Sequence, residues 1–267
     1  MLHFKQWDTM KKIELLSSLL IITLLVSSCS GSKEAKNDEP KRERTYIERY
    51  EDAVKLFEEK KYYKGLEDFS YVVFNAPGSD IADDAQFYLA SSHFEMKEYL
   101  VAIDEYQQLL RRWPASDLYE ETRFKIAECY YKQSPGYQRD QQYILKAIKS
   151  YQNFIDEYPF SERRVNAEER IRELRTGLAS KVYEAGELYM ILREWNAAII
   201  TFQEVIDTYY DTDIINETYL QIAACQAKLE QRQDMINMLD KVDNEKLSTK
   251  NKLRYSKLMK LSSEWPE

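Results

Sequence analysis

The sequence predicts an all-α fold, a superhelix of roughly five stacked helix pairs, and three observations carry that expectation. From Tyr46 onward the apolar residues recur at helical spacing rather than in strand-like alternation. Four stretches superimpose without internal gaps: Tyr62 to Ser79, Tyr99 to Ser116, Ile144 to Ser161 and Trp195 to Thr212. Only six glycines and six prolines occur in 267 residues, too few for a fold of many tight turns.

The chain opens on a different kind of segment. Lys5, Lys11 and Lys12 precede an apolar run from Leu15 to Val26, which ends in Ser27-Ser28-Cys29. A basic start, a short apolar stretch and small residues at a cut are the layout of a secretory signal. The run of about 12 residues falls short of the ~20 that span a bilayer. Leu25-Val26-Ser27-Ser28-Cys29 resembles the bacterial lipobox, in which a peptidase cuts before an acylated cysteine. An ordinary signal peptide with a coincidental cysteine is the competing reading. Residues 30–44 are polar, charged and free of aromatics, the composition of a flexible tether. The expected division is therefore a signal segment (1–28), lipidated Cys29 with its tether (29–44), a repeat domain (45–242) and a C-terminal helical tail (243–267). Ser30 directly after the cysteine fits delivery to the outer membrane.

Within the repeat domain each matched stretch reads as one helix. A bulky residue (Tyr62, Tyr99, Ile144, Trp195) is followed three later by a small one (Gly65, Ala102, Ala147, Ala198). Four further on comes an aromatic (Phe69, Tyr106, Tyr151, Phe202), and three after that an apolar residue (Val72, Leu109, Phe154, Val205). Steps of three, four and three keep these side chains on one helical face. The stretches close with Ala76-Pro77, Trp113-Pro114, Tyr158-Pro159 and Tyr209-Tyr210. Proline ends a helix because it has no amide hydrogen and disfavours helical backbone just before it.

A second motif stands upstream of each stretch. It is clearest in Phe87-Tyr88-Leu89-Ala90, Phe124-Lys125-Ile126-Ala127 and Leu220-Gln221-Ile222-Ala223, with Ala53 and Gly186 in the matching small positions. Small residues at both places let the two helices of a pair approach closely. Together the motifs form the tetratricopeptide pattern. The bulky first residues stand at 62, 99, 144 and 195, steps of 37, 45 and 51 against about 34 in the standard unit. The first excess maps to a loop from Ser134 to Gln141, and the second to a lengthened helix between Glu162 and Leu178. The fifth repeat degrades to Met235 and Leu239, as expected where a terminal repeat must face water.

Composition excludes several functions. A formal charge of -8 argues against nucleic acid, whose phosphates call for basic residues. Cys29, Cys129 and Cys225 are too widely spaced for a disulfide framework or a zinc site. The latter two occupy equivalent positions two repeats apart and read as buried free thiols. His3 leaves with the signal, so His93 is the one histidine of the mature chain. No Gly-rich phosphate loop, His-Glu-x-x-His or paired metal-ligand spacing is present. The expectation is a protein with no catalytic residues, no metal and no cofactor beyond the lipid on Cys29.

Binding is expected on the first helices, which line the concave face of such a superhelix. Residues seven apart in a helix share a face. Tyr50 and Phe57, Phe87 and Phe94, Phe124 and Tyr131, and Tyr183 and Met190 thus form a stripe across four repeats. These rings either pack between repeats or wall a groove for an extended or helical peptide, in which rigid aromatics give contact area at low entropic cost. A partly wet groove wall also accounts for 21 tyrosines. The stripe fades at Leu220 and Ala227, which points to a different docking surface toward the C-terminus.

A lipobox, a short tether and about five such repeats together resemble the BamD family, lipoproteins of the bacterial outer-membrane β-barrel assembly machinery. The resemblance covers roughly Tyr46 to Leu239. It is most specific at Trp113-Pro114-Ala115-Ser116 and Tyr158-Pro159-Phe160-Ser161, and from Arg172 through Glu187 to Trp195 and Asp211-Thr212. It implies a non-catalytic scaffold on the outer membrane, facing the periplasm, whose partners are the β-barrel insertase, other assembly subunits and unfolded outer-membrane proteins. A scaffold lipoprotein of cell-wall or secretion machinery shares every feature read from the residues themselves.

Overall fold

A computed structural model describes residues 43–265, except 135 and 138. Cys29, the signal segment and nearly all of the tether lie outside the described residues. Among those described, eleven α-helices follow in five antiparallel pairs and a final single helix. The pairs are α1 (Tyr46–Glu58) with α2 (Tyr62–Asn75), α3 (Ala82–Glu95) with α4 (Tyr99–Arg112), and α5 (Tyr119–Gln133) with α6 (Gln142–Glu157). Next come α7 (Arg164–Ile191) with α8 (Trp195–Thr208), and α9 (Ile215–Lys228) with α10 (Arg232–Leu239). A single 3-10 turn (Asn244–Lys246) leads to α11 (Thr249–Glu264). From α1 to α10 each helix packs on the one before it, and α11 packs on α9 and α10. No described helix is long and apolar enough to cross a membrane.

The small positions are the points of closest approach. Ala53, Ala90, Ala127 and Ala223 on the first helices, and Ala102, Ala147 and Ala198 on the second, have no exposed surface. Gly65 and Gly186 are buried likewise. A Cβ at Gly186 would lie 2.5 Å from Cε1 of Phe202, so the ring of α8 occupies the space a side chain of α7 would need. The periodic aromatics Phe69, Tyr106, Tyr151 and Phe202 are fully buried, as are Val72, Leu109 and Val205, with Phe154 nearly so. Full burial of such a side chain contributes about 1.5–3 kcal/mol.

Two kinds of turn repeat along the stack. Inside pairs one, two, four and five, the first helix stops at a residue with φ near +60°: Lys60, Lys97, Arg193 and Glu230. The next amide then reaches back five residues, from Lys61 to Leu56, Glu98 to His93, Glu194 to Tyr189 and Gln231 to Gln226. This is the left-handed helix stop that glycine usually occupies, here held by long polar residues each time. Between pairs, the amides of Ser79, Ser116, Ser161 and Thr212 bond the carbonyls of Ala76, Trp113, Tyr158 and Tyr209 at 3.0–3.1 Å. The fourth of these turns lacks proline yet keeps the geometry. Thr212 Oγ1 donates to the Tyr209 carbonyl at 2.7 Å, as Ser79 Oγ does to that of Ala76 at 2.8 Å.

Both departures from the repeat period fall where the sequence places them. α5 ends at Gln133 and α6 starts at Gln142, while α7 is a single helix of 28 residues. The two insertions meet: Tyr137 of the loop packs on Gly177 of α7 and donates its hydroxyl to Glu184 at 2.7 Å. The absent side chain of Gly177 lets Tyr137 lie close, since a Cβ there would stand 3.3 Å from the Tyr137 Cβ and 3.5 Å from Cδ1 of its ring. At the far end Leu247, Tyr255, Leu258 and Trp265 pack on the cluster of Leu220, Met235 and Leu239, closing the fifth pair.

Cys129 and Cys225 are buried free thiols. Burial pushes the Cys129 thiol up to about 12 and the Cys225 thiol up to about 11. Burial likewise raises the phenols of Tyr106, Tyr151 and Tyr183, the last to about 12. Groups whose folded pKa lies above the unfolded value favour the fold below the unfolded pKa and lose that contribution as pH rises. Stability is therefore expected to decline from about pH 8.5 through the thiols and more steeply above about pH 10 through the phenols. Iodoacetamide at pH 8 should leave Cys129 and Cys225 unmodified in the native chain and label both in urea. Rapid native labelling of either thiol would contradict its burial.

Candidate functional site

The structure brings the eight stripe residues onto equivalent positions of α1, α3, α5 and α7, and each is half-buried. Their faces are engaged. Tyr50 and Phe57 meet Tyr88 edge-on, at 6.2 and 5.1 Å between ring centroids, and Tyr88 in turn stacks on Phe69 at 5.5 Å. Phe87 packs on Tyr106 and Phe94 on Tyr99. Phe124 sits edge-on to both Tyr151 and Phe154, and Tyr183 is tilted against Phe202. Met190 packs with Trp195 against the buried Ala198–Phe202 cluster. The inner faces of the stripe are thus taken up by packing, within a pair for Phe87, Phe94, Phe124 and Tyr183 and across to the next pair where Tyr50 and Phe57 meet Tyr88.

Polar contacts link the later part of the stripe from pair to pair. Tyr131 donates to Glu173 at 2.7 Å, receives a hydrogen bond from Arg170 at 3.0 Å, and lies 4.5 Å beneath that guanidinium. Tyr151 donates to Glu128 in a short hydrogen bond, and Arg170 approaches the same carboxylate at 3.8 Å. Farther along, Gln221 Nε2 donates to the Tyr183 hydroxyl at 2.7 Å, and Arg254 of α11 donates to the Gln221 carbonyl oxygen. This polar network thus runs past the fourth pair through α9 to α11, beyond the point where the aromatic stripe fades. His93 lies outside it, with Nδ1 2.7 Å from Glu98 across the α3–α4 turn. Among the described residues no group of three His, Cys, Asp or Glu is placed to hold a metal ion.

Sequence reasoning missed several residues of this surface. Tyr88 is the hub of the first ring cluster, but no other repeat has a tyrosine there, so periodicity gives it no weight. Arg170 and Arg254 act through contacts 39 and 33 residues distant in the chain, which spacing does not show. Two of the hollows on the described surface border this stripe. One of about 350 Å³ lies between Tyr131, Tyr137, Leu174 and Gly177. A larger one of about 550 Å³ lies between Met190, Trp195, α9 and α11.

Comparison with known proteins adds the family. Residues 42–239 match the YfiO family, described as "Outer membrane lipoprotein". The outer membrane protein assembly factor BamD of Rickettsia prowazekii is 28% identical over 203 residues, covering 76% of this chain and 79% of that protein. Among solved structures, the TPR2AB domain of yeast Sti1 in complex with an HSP90 peptide aligns at a TM-score of 0.44. It is 17% identical, over 82% of this chain and 84% of that one. A thermophilic TPR protein of Thermus thermophilus aligns at 0.35 with 16% identity, over 81% of this chain and 100% of that one. The family match runs through all five helix pairs, from the end of the tether to the last residue of α10, and the chain belongs to the YfiO family of outer membrane lipoproteins.

Proposed function

We propose that this chain is a non-catalytic scaffold of outer-membrane protein assembly, tethered through a lipid on Cys29 and facing the periplasm. The observation that carries the reading is the family match across the whole repeat stack, joined to a relative named for outer membrane protein assembly. The helix-pair stack supports it physically, because such stacks offer long surfaces to other proteins. The anchor follows from the lipobox-like Leu25 to Cys29. Acyl chains there, at about 0.8 kcal/mol per buried CH₂, hold the protein on the membrane. In this reading the C-terminal pairs dock the β-barrel insertase. The outer edges of the aromatic stripe, from Tyr50 to Met190, receive unfolded barrel segments, whose alternating apolar side chains suit a wall of tyrosine and phenylalanine.

Affinity purification of the full chain from detergent-solubilised membranes tests this. The expected result is recovery of an integral β-barrel protein with periplasmic domains, and loss of the chain from the membrane fraction for Cys29→Ala. A clean preparation lacking any such barrel would remove the assembly role. A Cys29→Ala chain that stays in the membrane would remove the lipid.

A further inference from the structure

The larger hollow exists because of one substitution in the repeat pattern. The position seven residues after the first stripe residue is Phe57, Phe94, Tyr131 and Met190 in the first four pairs, and Ala227 in the fifth. With Ala224 also small, α9 presents almost no side chain where the first three pairs present a ring and the fourth Met190. α11 does not fill the space: Arg254, Lys257, Leu258 and Leu261 border the hollow from the far side. A gap of about 550 Å³ remains, floored by Ala224 and Ala227 and walled by Met190, Trp195, Leu258 and Leu261. Ile191, also at its edge, is 77% exposed.

The rim has a definite charge. Among the described residues, Lys228, Arg254 and Lys257 are the only charged ones lining the hollow, and no carboxylate does. This stands out in a chain of net charge -8. α11 itself carries Lys250, Lys252, Arg254, Lys257 and Lys260 against the single Glu264. The chain's own tether is no match for the site, since residues 30–44 offer only Ala35 and Pro40 as apolar side chains.

We infer that this hollow is a docking site for an acidic amphipathic helix of a partner protein, whose apolar side chains supply the ring that the fifth repeat lacks. The wall residues of α11 run at steps of three and four from Arg254 to Leu261, about two helical turns. A helix laid between α9 and α11 with anchors at i, i+3 or i+4 and i+7 matches that ridge. Carboxylates flanking the anchors face Lys228, Arg254 and Lys257, which sets orientation and association rate more than affinity. The inference rests on the protein-binding reading of the family and adds the chemistry of one partner segment.

The test is calorimetric titration of the full chain in detergent with two synthetic helical peptides of about four turns. Both carry leucine and phenylalanine on one face, flanked by glutamate in the first and by lysine in the second. The glutamate peptide is expected to bind about tenfold or more tightly than the lysine peptide. Ala227→Phe, which restores the ring of the earlier repeats, should abolish binding while the helical melting curve stays in place. Lys228→Glu with Lys257→Glu, on the exposed rim, should reverse the preference. Equal binding of the two peptides, or Ala227→Phe binding like wild type, overturns the inference. So does an Ala227-dependent occupation of the hollow by phosphatidylglycerol vesicles or by a second copy of the chain while the glutamate peptide stays unbound. These outcomes leave recovery of the β-barrel on purification unaffected, so the two readings fail separately.

Discussion

Replacing Gly186 by alanine is expected to destabilise the chain by about 2 kcal/mol, although alanine is the better helix former by about 1 kcal/mol. The new methyl would lie 2.5, 2.7 and 2.8 Å from three carbons of the Phe202 ring. That ring has no free space to retreat into, because Phe202 is fully buried among Ala198, Ile222 and Cys225. Either the ring leaves its rotamer or α7 moves off α8, and overpacking of this kind costs roughly 1–3 kcal/mol. Gly65 provides the internal comparison. A Cβ there would meet Phe69 Cε2 and the Ala53 carbonyl oxygen at 3.3 Å, a contact that a few tenths of an ångström relieve. Gly65→Ala should thus lie close to neutral in urea unfolding while Gly186→Ala shifts the midpoint strongly downward. Pairing Gly186→Ala with Phe202→Leu should cost less than the two losses added together. Strict additivity would show that the ring is not the obstacle.

That contrast marks how far the sequence can be read. The alignment of repeats identifies both glycines as small positions, because the pattern demands closeness there. It does not give the distance of closest approach, which depends on where the opposing ring settles. The same holds for the insertions. A loop over Ser134 to Gln141 and a lengthened α7 are legible from spacing and helix-forming composition, but their mutual packing through Tyr137 and Gly177 is not. The stripe was open to two readings in the sequence, and the structure engages the inner face of every ring in packing. Tyr88 stayed invisible because its counterparts in the other pairs are Glu51, Lys125, Glu184 and Gln221, so it has no period to betray it. Fading of the stripe at Ala227 was legible. The hollow was not, since it forms only where α11 comes to rest. Ion pairs are the least legible class, for 31% of the chain is charged and no spacing singles out one long-range partner from the rest.

One such pair governs the α1–α2 end of the stack. Asp68 on α2 has a side chain only 9% exposed, and its Oδ1 accepts from Arg49 at 2.7 Å and from Arg44 at 2.9 Å. Arg49, on α1, is 17% exposed and lies 4.0 Å over the ring of Tyr71. Asp68→Ala would leave that guanidinium largely out of water with no carboxylate. Breaking a buried pair on one side costs about 3–5 kcal/mol, and the greater exposure of Arg44 reduces the expected loss here to about 2 kcal/mol. The loss should not be shared evenly. Among the described helices α1 is the first, held by α2 and only lightly by α3, so its opening breaks one described interface where an internal helix would break two. Hydrogen exchange in Asp68→Ala should therefore quicken in α1, from Tyr46 to Glu58, well before α4 or α6 changes, and proteolysis should begin in the same segment. Asp68→Leu combined with Arg49→Met should recover most of the protection, because an apolar pair leaves no charge unsatisfied. A uniform increase in exchange along the stack would show instead that Asp68 supports the whole superhelix. Arg44 also pairs with Asp52 of α1 at 3.0 Å, so the guanidinium that reaches Asp68 ties the residue just before α1 to that helix as well.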